Sequence, residues 1–308
     1  MTRALLLLVA GTAALGTAPA RAQDHSAEGK TTSHALGVDV FVSTDADKSQ
    51  TYRAGINFDL HYVDPERHWG FRYEKAWYQP LGDATTSRDR GYLLYADRNR
   101  AWAWNTQIGT DGHSVIGSAS VHNDKPLRQE YFVERDVVDT AGGLRDGIYY
   151  TFVGAALDVP VDSRNSFSAV AGAQAFTGKN VRLHLRGTYT HVVKTNWGLS
   201  AQLRGRYFHS TVPGEHDYYS PRWYAQVLPT LQLRRYSAGW RYMISGGLGM
   251  QRDANGGWGQ SRAVAAELTS PSFGRGWHVK ASAQYTNTPL ATGIYDYAQL
   301  SFALTRAF

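Results

Sequence analysis

Apolar and polar side chains alternate with a period of two along most of the 308 residues, and that period belongs to a strand, not a helix. The last twelve residues, YAQLSFALTRAF, set the pattern. Ala298, Leu300, Phe302, Leu304 and Phe308 fall on one face, and Gln299, Ser301, Ala303, Thr305 and Ala307 on the other. The pattern recurs upstream. Trp197, Leu199, Ala201, Leu203, Gly205 and Tyr207 oppose Ser200, Gln202, Arg204 and Arg206. Trp277, Val279, Ala281, Ala283 and Tyr285 oppose His278, Lys280, Ser282, Gln284 and Thr286. Tyr52, Ala54, Ile56, Phe58, Leu60 and Tyr62 are expected to face away from Arg53, Asn57, Asp59 and His61.

These apolar faces need a medium. Several open and close on an aromatic residue, as Trp197 and Tyr207 do. Ten residues of strand extend about 33 Å, and at a tilt near 40° they cover about 25 Å, the height of the apolar band of a membrane barrel. Mean hydropathy is only −0.40, yet aromatics make up 13%, with 19 Tyr, 9 Trp and 31 Gly. No apolar run after residue 22 reaches the roughly 18–20 residues of a spanning helix. The composition fits a transmembrane β-barrel, whose lipid and lumen faces average out in any window. A soluble sandwich would share the alternation but would not need aromatic brackets or so many amphipathic strands. Closing the sheet satisfies every strand edge, which an open sheet in hydrocarbon cannot do.

The N-terminus carries Arg3, an apolar stretch ALLLLVAGTAALGTA and the small-residue site Ala20-Arg21-Ala22. Residues 1–22 are therefore expected to be a cleaved signal peptide, 23–33 a short periplasmic segment and 34–308 the barrel. The formal charge of +6 falls to +4 without Arg3 and Arg21, too little and too dispersed to argue for nucleic acid. There is no Cys, which excludes a disulfide scaffold, thiolate chemistry and a lipid-modified N-terminal Cys.

Turn residues break the alternation at 64–67, 97–100, 123–126, 158–165, 194–196, 236–239 and 270–276. These are expected to be periplasmic turns. The connections 45–50, 79–90, 109–113, 139–146, 177–180, 209–221, 252–259 and 286–293 are on average longer and are expected outside. The tally is about 16 antiparallel strands with both termini periplasmic; 14 is the alternative, because 84–140 alternates less cleanly.

Alternation sends Arg182, His184, Arg186, Gln202, Arg204, Arg206, Tyr224, Gln226, Gln232, Arg234, Arg241, Gln251, His278 and Lys280 into the lumen, with Glu267 their main acidic neighbour. Such a wall of cations, amides and rings suits weak contacts to a hydroxyl-rich or anionic polymer; polar residues that pair across strands are the plainer reading. The connection HSTVPGEHDYYSP is stiffened by Pro213 and Pro221. It is expected to hold Tyr218 and Tyr219 at the pore mouth as a stacking surface, with Glu215 and Asp217 accepting hydroxyl hydrogen bonds; a solvated surface loop is the alternative. Catalysis finds no footing. His209 with Ser210, and His113 with Ser114, are chain neighbours that face opposite ways in a strand. The 11 His lack metal-ligand spacing, and no phosphate-cradling loop occurs, so neither cofactor nor metal is expected.

YAQLSFALTRAF resembles the C-terminal signature of bacterial outer-membrane proteins, in which alternate apolar residues and a last aromatic are read by the barrel-assembly machinery. The resemblance implies location in the bacterial outer membrane, embedded in its lipid, with Phe302, Leu304 and Phe308 as the assembly signal. Arg306 departs from the pattern at an outward position, where it can snorkel to head groups. EHDYYSPRWYAQVLPTLQLRR and GWRYMISGGLGMQR, residues 215–235 and 239–252, are similar to the C-terminal barrel of the cellulose-export porins (BcsC-like) and more loosely to the poly-N-acetylglucosamine exporters (PgaA-like). This likeness implies a passive conduit for exopolysaccharide; the alternatives are a general or small-solute porin and an outer-membrane lipid-modifying enzyme. Those exporters carry periplasmic tetratricopeptide repeats, and no repeat of about 34 residues is present here. A separate periplasmic scaffold protein is the expected partner, with a polysaccharide chain as cargo.

Overall fold

A computed structural model describes residues 33–46, 48–274, 276–287 and 296–308. The expected signal peptide and most of the 286–293 connection lie outside the described residues. Sixteen strands occur among the described residues: β1 Ser33–Asp45, β2 Gln50–Asp64, β3 Arg67–Gln79, β4 Thr86–Arg98, β5 Trp102–Thr110, β6 Val115–Asn123, β7 Arg128–Val137, β8 Tyr149–Pro160, β9 Asn165–Phe176, β10 Val181–Lys194, β11 Leu199–Ser210, β12 Trp223–Ser237, β13 Trp240–Asp253, β14 Gly259–Thr269, β15 Trp277–Asn287 and β16 Asp296–Ala307. Each pairs antiparallel with its neighbours in sequence, and β16 returns to β1 to close the barrel. The closing seam runs from Ala35 opposite Ala307 to Asp45 opposite Tyr297. It is finished by reciprocal backbone bonds of 2.9 Å between His34 and Phe308.

Closure divides the side chains into two populations. The outer face is apolar and uncovered, as at Leu93, Leu183, Leu231 and Ile244. Polar groups go inward, where they find one another. Among the described residues no helix is long and apolar enough to cross a membrane; the strands are the membrane-crossing elements of this fold.

The two ends differ. The tight turns 65–66 and 238–239 and the longer connection from β14 to β15 lie at the end that carries Ser33 and Phe308. At the opposite end lie 138–148, which contains the short helix α1 Ala141–Asp146, and 211–222. Thr140 caps α1 by accepting from the Gly143 amide at 3.0 Å. Gly147 ends it with φ 67°, a left-handed conformation that a side chain would strain.

One expected face is reversed. The register shifts between Asp59 and His61 on β2, leaving Leu60 as the extra residue. Beyond this bulge His61 pairs with Trp69, whose ring is exposed on the outer face, and Tyr62 pairs with His68 and Ser33. Paired residues share a face, so His61 is outward and Tyr62 inward, the opposite of simple alternation.

The uncovered apolar face generates a direct test. Leu231 sits near the middle of β12 and is 60% exposed. Leu231→Arg is expected to cost about 2–4 kcal/mol in urea unfolding from liposomes, the cost of a cation at mid-membrane depth; a neutral effect would mean that water, not lipid, covers this face. Unboiled protein is also expected to migrate faster than boiled protein on a gel, because a closed barrel resists detergent.

Candidate functional site

The lumen is built in three parts. At the long-loop end, 211–222 locks onto its neighbours. The Glu215 carboxylate accepts from the Lys179 and Asn180 amides at 2.6 and 2.8 Å. Asp217 accepts from the Thr140 hydroxyl and the Gly142 amide, both at 2.6 Å, which ties the loop to the start of α1. Tyr218 stacks on Phe176 at 4.2 Å between ring centroids and accepts from the Asn180 amide group at 2.9 Å. Tyr219 donates to Asp253 at 2.7 Å, and its carbonyl accepts from the Arg182 guanidinium. Burial pushes both hydroxyls to higher pKa, with the bond to Asp253 adding to the rise at Tyr219, so both hydroxyls stay neutral.

The loop does hold a shape, but not as expected. Tyr218 and Tyr219 are only 3% and 5% exposed, so they are packing rings and offer no free stacking surface. Glu215 and Asp217 are likewise committed to backbone and hydroxyl donors. The reason is local: adjacent rings beside two prolines bury more apolar area by folding onto Phe176 and Phe208 than by standing in water.

Below this cap, the wall from β1 to β8 neutralises itself. Arg72 bonds Asp39 and lies 2.6 Å from Glu74. Arg90 reaches Glu74 at 2.9 Å and bonds Asp136, which Arg53 approaches at 3.8 Å. Arg88 pairs with Asp111 and donates to the Tyr149 hydroxyl at 2.8 Å. Arg128 is held by Glu130 at 3.0 Å and Asp158 at 3.4 Å.

The wall from β10 to β12 is different, and most sequence-derived candidates sit there. Arg182 is fully buried beneath the loop, its guanidinium 4.7 Å from the Phe208 centroid and 5.1 Å from that of Phe176. His184 accompanies it, with Nε2 3.2 Å from Gln174 Oε1 and an edge contact to Phe152 at 5.1 Å. Tyr224 stacks on Phe208 at 5.1 Å and donates to Gln251 at 2.9 Å. These three candidates are therefore parts of the packed cap and do not line open space. Alternation gives the face of a strand residue but not what lies over it.

Arg186, Gln202, Arg204, Arg206, Gln226, Gln232 and Arg234 do border open space, a cavity of about 360 Å³ that also touches Arg128, Glu130, Asp158 and Glu267. Gln202 donates to Gln232 at 3.2 Å and accepts from Arg204 at 2.8 Å. Gln226 donates to Ser261 at 2.7 Å. Arg241 and Lys280 lie nearer the terminus-bearing end, away from this cavity; Arg241 donates to Thr269 at 3.2 Å, and Lys280 faces Thr269 in register. His209 pairs with the outward Leu183 while Ser210 is buried inside, so the pair is split across the sheet.

No family model matches this chain, and no curated protein matches it. Among solved structures it is similar to a bacterial polysaccharide outer membrane secretin, with a TM-score of 0.66 at 14% identity over 89% of this chain and 98% of that one. Pseudomonas aeruginosa OccK5 (OpdH) and OprD match at a TM-score of 0.43, with 11% and 9% identity, over 90% of this chain and 98% and 95% of theirs. The fold is the closed sixteen-strand barrel of outer-membrane proteins.

Sequence reasoning missed the self-neutralising wall, although its signal was present. Arg72 and Glu74, like Arg88 and Arg90, are charges two apart on an inward face. The loop anchor gives the test. Asp217→Ala removes two acceptor contacts worth together roughly 1.5–3 kcal/mol. Amide exchange in 138–148 and 211–222 is expected to speed up about 10- to 100-fold, with β-strand exchange unchanged; unchanged loop exchange would show that the anchor bears no load.

Proposed function

We propose that this chain is an outer-membrane porin that passes exopolysaccharide by passive conduction, without covalent chemistry and in the manner of the BcsC-like and PgaA-like export barrels. The observation that carries this reading is the lumen wall on β10–β12. It combines guanidinium groups, the Gln202–Gln232 amide pair and Gln226 around one cavity, inside a barrel whose fold is shared with a polysaccharide secretin. Hydroxyl-rich chains slide where many weak donors and acceptors replace one another, and a deep single site would stall them. The pore then needs a periplasmic scaffold protein to deliver the polymer, bacterial outer-membrane lipid around the outer face and the barrel-assembly machinery to insert it.

The cavity that this wall borders, about 360 Å³, is small for a polymer and favours a second reading, a porin for small solutes. Deletion of the gene separates the two. Loss of secreted polysaccharide, restored by the wild-type chain, is the expected result; full secretion together with reduced uptake of small solutes would select the second reading. Assembly is tested separately. Removing Phe308 is expected to lower the amount of inserted barrel several-fold while Phe308→Tyr preserves it, because the tyrosine keeps the ring opposite His34 at the seam. Equal insertion of all three would remove the terminal ring from the assembly signal.

A further inference from the structure

We propose that the cargo is acidic, and that Arg206 and Arg204, beside Arg186, form a carboxylate-binding site in the lumen; the inference rests on the conduit reading and narrows its substrate class.

Arg186 on β10 and Arg206 on β11 are direct register partners on the inner face. Two like charges placed opposite each other in a sheet are destabilising. Arg204, two residues along the same strand face, adds a third guanidinium. Elsewhere in this barrel arginines meet carboxylates, as Arg72, Arg88, Arg90 and Arg128 do. Among the described residues no carboxylate pairs with Arg204 or Arg206. Arg204 is held by an amide, Gln202, at 2.8 Å. Arg206 lies 5.7 Å from the centroids of both Phe208 and Tyr224, and its Nε is buried without a hydrogen-bond partner. The two rings fix the guanidinium in place without neutralising it.

None of the carboxylates that border the same cavity pairs with Arg204 or Arg206. Glu130 and Asp158 are engaged by Arg128, and Glu267 stands on β14, where its register partners are Met243 and Ser282. A chain that could set acids opposite arginines on β1–β8, yet sets arginine opposite arginine on β10 and β11, leaves a site for an anion from outside. The planar guanidinium fork fits a carboxylate through two parallel hydrogen bonds. The neighbouring Gln202 and Gln232 supply groups for the hydroxyls that flank a carboxylate on a uronic-acid unit. Three adjacent cations, partly wet, bind such a unit weakly enough to release it to the next.

The test uses the full chain in detergent, with calorimetric binding of trigalacturonate and of neutral cellotriose at low salt. Trigalacturonate is expected to bind about tenfold tighter than cellotriose, as charged hydrogen bonds allow, and to lose that preference in the Arg204→Gln, Arg206→Gln double variant. Heat-modifiable migration of the variant checks that it still folds. Equal or tighter binding of cellotriose, binding of neither sugar, or a preference unchanged in the double variant would each overturn the inference. The conduit reading is decided apart from it: a deletion strain that loses a neutral polymer keeps the conduit and rejects the acidic cargo, one that loses a uronate-containing polymer supports both, and one that loses no polymer rejects both.

Discussion

The hydrogen-bonded seam between β1 and β16 is the constraint on which the rest of the structure depends. In hydrocarbon each unpaired backbone group costs several kcal/mol, so a sheet either closes or does not insert. Closure here is complete to the last residue, with Phe308 and His34 exchanging both of their backbone bonds. Once the sheet is closed, each strand residue has only two destinations, lipid or lumen. The period-two sequence is the imprint of that choice.

Because destination is binary, it is what the sequence discloses best. The strand count, the apolar outer face and the alternation of short turns with longer connections all follow from parity and turn residues, and the sixteen strands lie close to where these signals put them, except that β4 begins at Thr86, inside the connection expected over 79–90, and so carries Arg88 and Arg90. Parity failed at the β2 bulge, where one extra residue at Leu60 exchanged the faces of His61 and Tyr62. Depth was not legible at all. Arg182, Arg186, Arg204 and Arg206 have the same parity and residue type, yet Arg182 lies sealed beneath Tyr219 while the other three border the cavity. What separates them is the path of a loop thirty residues away in sequence. Its fold is set by Asn180, Phe176 and Thr140, which no local pattern connects to it.

The loop also illustrates how a side chain can be read correctly for chemistry and wrongly for role. Glu215 and Asp217 do accept hydrogen bonds, but from Lys179, Asn180, Thr140 and Gly142 of their own chain. Tyr218 and Tyr219 do stack, but on Phe176 and against Phe208. Internal partners win because they are pre-positioned by the barrel and cost no association entropy. A solute arriving from the lumen meets these contacts, so this cap is a barrier to passage unless it opens, and the contacts of Asp217 to Thr140 and Gly142 set part of its resistance.

The interior therefore divides its charges between two tasks. On β1–β4 and β7–β8, arginines and carboxylates cancel in pairs, which cross-links strands far apart in sequence, such as β1 to β3 through Asp39 and Arg72. Such pairs hold the wall rigid and give a passing molecule little net charge to meet. On β11, by contrast, Arg204 and Arg206 pair with no carboxylate among the described residues and are steadied by an amide and by rings instead. A barrel that needed only polar filling would gain stability by pairing these charges as well. Keeping Arg206 opposite Arg186 costs stability, and a cost carried at one wall alone is the physical mark of a surface shaped for something other than folding.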